Sequence, residues 1–271
     1  MRTVFVADTL PGAFPQAHSE LAAALQAADY QVNYLAGTRD VWVRDFMPVP
    51  VPGGGWVQFR YAPSYLRTQR ERLTITAARP LCSTLGIRAR QSHLVVDGGN
   101  VVFVGSTAVL TDRVYSENPG VAAGEIRKRL QEELQAERLV IIPAHPDDFT
   151  GHADGMLQPV DDQTVLVSAY RNEKPAFTDL FRRTLAQAGL SSIALPYNPY
   201  GNRTYTDASG EYVNALQLPD LVLVPLFGQR EDEAAMRTYE AAFAARRIVG
   251  VRVEDVARQG GALHCISWTA A

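Results

Sequence analysis

In Asp148-Phe149-Thr150-Gly151-His152-Ala153-Asp154-Gly155 a histidine and an aspartate stand two residues apart between glycines. An extended backbone turns both side chains to one face, where they can share a pocket. The glycines permit unusual dihedrals or the close approach of a ligand, although they also punctuate ordinary strand ends, and His-x-Asp is short enough to arise by chance. His145, Asp147 and Asp148 lie just upstream and suggest a metal cluster. The chain has no Cys-x-x-Cys, no His-Glu-x-x-His and no acidic calcium loop, so neither a metal nor another cofactor is expected.

On both sides of this stretch, helical spacing alternates with short apolar runs. Ala17, Leu21, Leu25 and Ala28 mark one helix, and Ile126, Leu130 and Leu134 a second. Phe177, Phe181, Leu185 and Ala188 mark a third that stops at Gly189; Met236, Tyr239 and Phe243 mark a fourth that opens on Glu231, Asp232 and Glu233. Strands are predicted from Thr3 to Ala7, Val101 to Val104, Leu139 to Ile142, Thr164 to Val167, Leu221 to Leu226 and Ile248 to Val253. Turn clusters at Pro52-Gly53-Gly54-Gly55 and Asn198-Pro199-Tyr200-Gly201-Asn202 separate the units. The alternation gives an α/β or α+β class, with helices recurring every ~50 residues. No linker or low-complexity tract divides the chain, so a single domain over 1–271 is expected.

A net charge of -3 offers no basic field for a phosphate backbone, which argues against nucleic acid and for a small cationic partner. No apolar run approaches the roughly 18 residues that span a bilayer, so no membrane partner is expected. The N-terminal strand is broken by Asp8 before a signal-peptide core can form. Cys82 and Cys265 could form only one bridge; with no export signal, both are expected as reduced thiols in the cytoplasm. The oligomeric state, a homo-oligomer included, stays open.

Cys265 lies in Gly260-Gly261-Ala262-Leu263-His264-Cys265-Ile266-Ser267-Trp268, which reads as glycines leading into a C-terminal strand. A buried core cysteine is one reading. A nucleophile is the other, and it needs activation, because a free thiol of pKa ~8.5 is mostly protonated at neutral pH. His264 would point to the opposite face of a strand, so His152, brought close by folding, is the expected partner. Trp42-Val43-Arg44-Asp45 places Trp42 and Arg44 on one face and Asp45 on the other if extended, and an Arg-Asp pair at a strand end is commonly structural. Asp97-Gly98-Gly99-Asn100 also reads as a turn before Val101.

Taken in chain order, Trp42-x-Arg44-Asp45, the acidic Asp97-Gly98-Gly99-Asn100, Gly151-His152-x-Asp154 and Gly261-x-x-His264-Cys265 resemble the agmatine deiminase and bacterial peptidylarginine deiminase family. Asp148-Phe149-Thr150 and Tyr212-Val213-Asn214 with the following Leu221 to Phe227 run extend the resemblance over nearly the whole chain. It implies an α/β pentein, five ββαβ-type repeats around a pseudo-fivefold axis (an α/β propeller), with the site in the central channel. It further implies that Cys265 attacks a guanidinium carbon and that His152 protonates departing ammonia and then activates water. Asp97 would orient His152, and Asp45 and Asp154 would bind the guanidinium nitrogens. Trp42 is expected as a wall of that pocket, where a cation over the indole gains ~0.5–2 kcal/mol, with Arg44 beside the substrate.

Asp97 stands where the family usually has Glu, so its contact with His152 is expected to be longer, water-bridged or made differently. Phe46, Met47 and Ser116-Glu117-Asn118-Pro119 depart from the pattern too, and bear on substrate choice. Tyr200, Asn202, Arg203 and Tyr205 form a loop suited to meet a substrate tail. The implied activity is hydrolysis of a guanidine to a ureido product and ammonia, agmatine first and free or peptidyl arginine next. The alternatives are amidinotransfer, a catalytically idle pentein binding module and, last, a thiol protease.

Overall fold

The computed structural model describes residues 2–171, 173–197 and 206–270. Its strands fall into five small sheets that share one wiring pattern. The first pairs β1 (Thr3–Ala7) in parallel with β2 (Gln31–Leu35) across the Pro15–Gln26 helix. In the second, β3 (Val49–Pro50) runs antiparallel to β4 (Trp56–Arg60), which crosses over through the Ala78–Thr84 helix to a parallel β5 (Ala89–Val95). The third repeats this with β6 (Val102–Val104), β7 (Thr107–Thr111), the Ala123–Glu133 helix and β8 (Arg138–Ile142). The fourth uses β9 (Leu157–Pro159), β10 (Thr164–Ser168), the Pro175–Gln187 helix and β11 (Ser191–Leu195). The fifth uses β12 (Leu216–Gln217), β13 (Leu221–Leu226), the Asp232–Ala242 helix and β14 (Arg247–Arg252). Among the described residues, no short antiparallel strand precedes β1 in the first sheet. Trp268 supplies that contact instead, exchanging backbone hydrogen bonds of 2.7 and 2.9 Å with Phe5.

Burial explains which elements the sequence revealed. The middle strands β1 and β7 are buried at every residue, as a strand covered on both faces must be. The outer β2 and β11 bury only Leu35 and Leu195, so neither shows an apolar run. The four predicted helices are present, with Ala17, Leu21 and Leu25, then Ile126 and Leu130, then Phe177, Phe181 and Leu185, then Ala235 and Tyr239 turned to the core. The fifth crossover helix, Ala78–Thr84, is short and was not predicted; Ala78, Leu81 and Cys82 are its buried residues, which makes Cys82 a core residue. Pro52 to Gly55 forms the β3–β4 hairpin, closed by Val51 N–H to Gly55 C=O at 3.2 Å. The Asn198 to Asn202 cluster and the loop of Tyr200, Asn202, Arg203 and Tyr205 lie outside the described residues. No helix among the described residues is long and apolar enough to cross a membrane.

Three segments expected to be extended are turns. Val43–Phe46 is a single helical turn that begins at Trp42. Ala153–Gly155 is a 3-10 turn that begins at His152. Cys265 sits in a turn, with Ile266 N–H bonded to Ala262 C=O at 3.3 Å. Buried asparagines hold two of these backbones. Asn100 Oδ1 accepts from Ala153 N–H at 3.2 Å as well as from Thr111 N–H at 3.0 Å, and Asn214 Oδ1 accepts from the N–H groups of Ala262, His264 and Cys265 at 3.2–3.3 Å. A side-chain oxygen thus takes the place of a ladder partner and favours the turn.

Trp268 is fully buried, packs 5.6 Å from the Phe5 ring and donates Nε1–H to Pro48 C=O at 2.8 Å. Trp268→Ala should therefore lower unfolding free energy by roughly 3–5 kcal/mol in urea titrations. An unchanged midpoint would show that the C-terminal segment does not anchor the first sheet.

Candidate active site

Four turns deliver polar side chains to one place. Val43–Phe46 presents Asp45; Asp97 precedes the Gly98–Asn100 turn; His152 and Asp154 come from the 3-10 turn; His264 and Cys265 come from the C-terminal turn. The turns are joined directly. Arg44 N–H donates to Cys265 C=O at 3.2 Å, and Gly99 N–H donates to Asp45 Oδ1 at 3.0 Å. Only glycine fits at position 99: a Cβ there would lie 2.6 Å from Asp45 Oδ1, 3.0 Å from His152 Nδ1 and 3.1 Å from Asp154 Oδ2. At Gly261 a Cβ would lie 2.5 Å from the Trp42 ring and 3.0 Å from Cys265 Cβ.

His152 is held between two carboxylates. Its Nε2 lies 2.9 Å from Asp97 Oδ2 and its Nδ1 lies 3.5 Å from Asp45 Oδ1. The Asp97 contact is direct, despite the side chain being shorter than Glu. Tyr65 hydroxyl donates to the same Asp97 oxygen at 3.0 Å. Burial opposes a charge on His152, but Asp45 and the Asp97 hydrogen bond outweigh it and push its pKa up to about 10. Burial, with the charges of Asp97 and Asp154, pushes Asp45 up to about 7. Burial also acts on Asp154, but the His264 hydrogen bond and the cations of His152 and Arg44 hold it below the usual carboxylate range.

Cys265 Sγ receives a hydrogen bond from Asn214 Nδ2 at 3.2 Å and lies 3.7 Å from Asp154 Oδ2. Burial, then Asp154 and Asp45, push its thiol well above its ordinary pKa, so the resting sulfur is protonated. A thiol and an imidazolium therefore face one cavity of about 240 Å³. Trp42, Asp45, His152, Asp154 and Cys265 line it, joined by Asp40, Glu71, Asp148 and Glu211. Among the described residues no Lys or Arg lines this cavity. Glu211 is pushed well above its ordinary pKa by burial and by Asp148, Asp154 and Asp207, the signature of a carboxyl short of a cation.

Arg44, expected beside the substrate, lines a second cavity of about 220 Å³ instead, together with His264 and the far side of Asp154. Its Nε makes one long hydrogen bond, 3.5 Å to His264 C=O, and its charge acts on Asp154, Cys265 and Asp45 from behind. His145 is separated from this site. It packs against Tyr170 and Phe177 and pairs with Glu173 at 3.5 Å, and among the described residues no three His, Cys, Asp or Glu side chains gather as a metal-holding set.

The family profile of the Porphyromonas-type peptidyl-arginine deiminases matches residues 10–270. The chain belongs to that family. A Mycoplasma capricolum protein provisionally named agmatine deiminase is 22% identical over 223 residues, covering 70% of this family member and 61% of that protein. The match thus spans about three-fifths of its curated relative. Among solved structures, the C. jejuni agmatine deiminase superposes with a TM-score of 0.80 at 16% identity, covering 98% of this chain and 92% of that one. A cysteine-to-serine variant of the C. jejuni enzyme with substrate bound gives 0.78 at 15% identity, with the same coverage. At these identities the likeness establishes an α/β fold shared with the agmatine deiminases.

Trp42, Asp45, His152, Asp154 and Cys265 are thus brought together in one cavity, with Asp97 behind His152. Asn214, Tyr65, Glu211 and His264 were missed as site residues. Asn214 had a signal, a lone amide in an otherwise apolar segment; His264 was set aside only because a strand was assumed. Asp97→Asn should lower the His152 pKa from about 10, followed by imidazole NMR against pH. The sign for stability follows: a folded pKa raised above 6.5 gives stabilisation that is complete below about 6.5 and is lost as pH rises through about 10. The wild-type advantage over Asp97→Asn in denaturant should therefore shrink across that window.

Proposed function

We propose that this chain is a cysteine-dependent guanidine hydrolase that converts a guanidine and water to a ureido product and ammonia. The observation that carries the reading is the acidic cavity in which Cys265, His152, Asp45 and Asp154 meet and which, among the described residues, no Lys or Arg lines. A guanidinium is a planar cation with donors in its plane, and Asp45 and Asp154 are carboxylates suited to accept from them. Held in that plane, its carbon is open to Cys265 Sγ from the face. The bound cation offsets the carboxylates that keep the thiol protonated, so substrate binding itself favours the thiolate. The thiol releases its proton to solvent as the guanidinium binds; attack of the thiolate forms the S–C bond, and His152, the local imidazolium, gives a proton to the departing nitrogen, whose C–N bond breaks as it leaves as ammonia. The neutral imidazole then takes a proton from water, whose oxygen attacks the same carbon. The S–C bond breaks, the hydroxyl proton of the collapsing intermediate passes to the departing sulfur, and the ureido product and the thiol are formed.

Agmatine is the first substrate expected. Asp40, Glu71, Asp148 and Glu211 around the cavity disfavour a substrate whose tail carries a carboxylate, as free arginine does. The pseudo-fivefold arrangement within one domain belongs to the same proposal. It is supported by the second cavity, whose walls come from β3, β6, β9 and β12, the short strands of four sheets, and from Thr269 beside the fifth.

Purified wild type and Cys265→Ala should be compared for ammonia release from agmatine, arginine, methylarginines and an arginyl peptide, with the ureido product identified by mass. Turnover of agmatine that vanishes in the variant is the expected result. Turnover that appears only with an added amine acceptor would establish amidinotransfer, and none under any condition would overturn the enzymatic reading.

A further inference from the structure

His264 stands outside the catalytic set just described, yet it touches that set at one atom. Its Nδ1 lies 2.7 Å from Asp154 Oδ2, and the same oxygen is the one 3.7 Å from Cys265 Sγ. Asp154 Oδ2 therefore faces the sulfur on one side and the His264 ring on the other. The His264 backbone is pinned by its N–H to Asn214 Oδ1 at 3.2 Å, and Asn214 also donates to Cys265 Sγ. The backbone from which the ring extends is thus held by the same side chain that contacts the nucleophile.

We propose that His264 is a positioning residue that fixes the orientation of Asp154 and blunts the repulsion between its carboxylate and the Cys265 thiolate. The groups around Asp154 make the assignment specific. Arg44 approaches from the Val43–Phe46 turn, with Asp45 on the same turn; His152 lies two residues away; Glu211 is packed near Gly155. Burial and the Arg44 charge lower the His264 pKa, so the ring is neutral near pH 7. A neutral ring beside a carboxylate donates through Nδ1–H, which leaves Nε2 bare toward the second cavity. That N–H draws electron density from the oxygen facing the sulfur. It also occupies Oδ2, leaving the rest of the carboxylate for a guanidinium.

The test uses His264→Ala, His264→Asn and His264→Gln, read by two assays. The first is the pH dependence of Cys265 alkylation by a neutral haloacetamide, which needs no guanidine turnover. The second is kcat/KM for agmatine, which rests on the proposed hydrolysis. An asparagine amide reaches the place of imidazole Nδ1, whereas a glutamine amide lies nearer that of Nε2. The alkylation midpoint should move to higher pH in His264→Ala and His264→Gln and return toward wild type in His264→Asn. kcat/KM should follow the same order, with a roughly tenfold to hundredfold loss in His264→Ala, the size of a charge-assisted hydrogen bond. Equal midpoints in all four proteins, or equal shifts in all three variants, would overturn the proposal. A wild type that alkylates as expected but turns over no guanidine would overturn the hydrolase reading while leaving the positioning role standing.

Discussion

The imidazolium of His152, fixed between Asp97 and Asp45, is the contact on which the rest of the site depends. Asp45, Asp97 and Asp154 are all buried around it, and carboxylates taken from water so close together repel unless a cation stands among them. His152 supplies that cation at a cost in its own desolvation, which its two partners outweigh. The balance is incomplete: with Asp45 pushed up to about 7 and burial and neighbouring carboxylates pushing Glu211 up as well, the described residues lining the site hold more carboxyl groups than positive charge to match them. A cavity in that state favours a cation and rejects an anion, which is a selection rule before any shape is considered.

Placing these groups needs five small sheets because no single element could present them. Each site segment is a turn lying next to a short strand, so side chains from distant sequence converge while the long middle strands stay apolar and buried. Asn100 and Asn214 make the convergence exact enough for chemistry. Each spends its amide oxygen on the backbone of another turn, and Asn214 Nδ2 donates to the sulfur and to Asp154 C=O. Substitution of either would leave several buried N–H groups unpaired, a larger penalty than the loss of one side-chain contact suggests.

Residue identity was legible in the sequence where chemistry restricts it, and conformation was not. His152, Asp154, Asp45 and Cys265 stood out through motifs that persist whatever the local backbone does. The backbones around His152, Asp154 and Cys265 were misread as strands because the asparagines that bend them lie 53 and 51 residues away in sequence. The error had a consequence: strand alternation turned His264 away from the site, whereas the turn brings it onto Asp154. Arg44 shows the reverse, since one helical turn sends it to the second cavity, behind the carboxylates that its neighbour Asp45 joins. Among the elements, β1, β10 and β13 were visible because they are covered on both faces; β2 and β11 were not, because exposed edges carry little hydrophobic pattern.

The resting thiol, held well above its ordinary pKa, looks at first like a fault in a nucleophile. It follows from the same carboxylates that would bind the substrate, and they cannot be removed without losing the cation. Activating Cys265 permanently, by replacing Asp154 with a neutral group, would lower the thiol pKa and at the same time remove one of the two carboxylates proposed to hold the guanidinium. Leaving the sulfur protonated until a cation arrives resolves the conflict: the charge that must be bound is also the charge that stabilises the thiolate. An empty site then holds a poorly reactive thiol, protected from oxidation and from stray electrophiles. Arg44 and His264, acting from the far side of Asp154, can adjust how strongly that carboxylate opposes the thiolate without competing for the cavity where the substrate would lie.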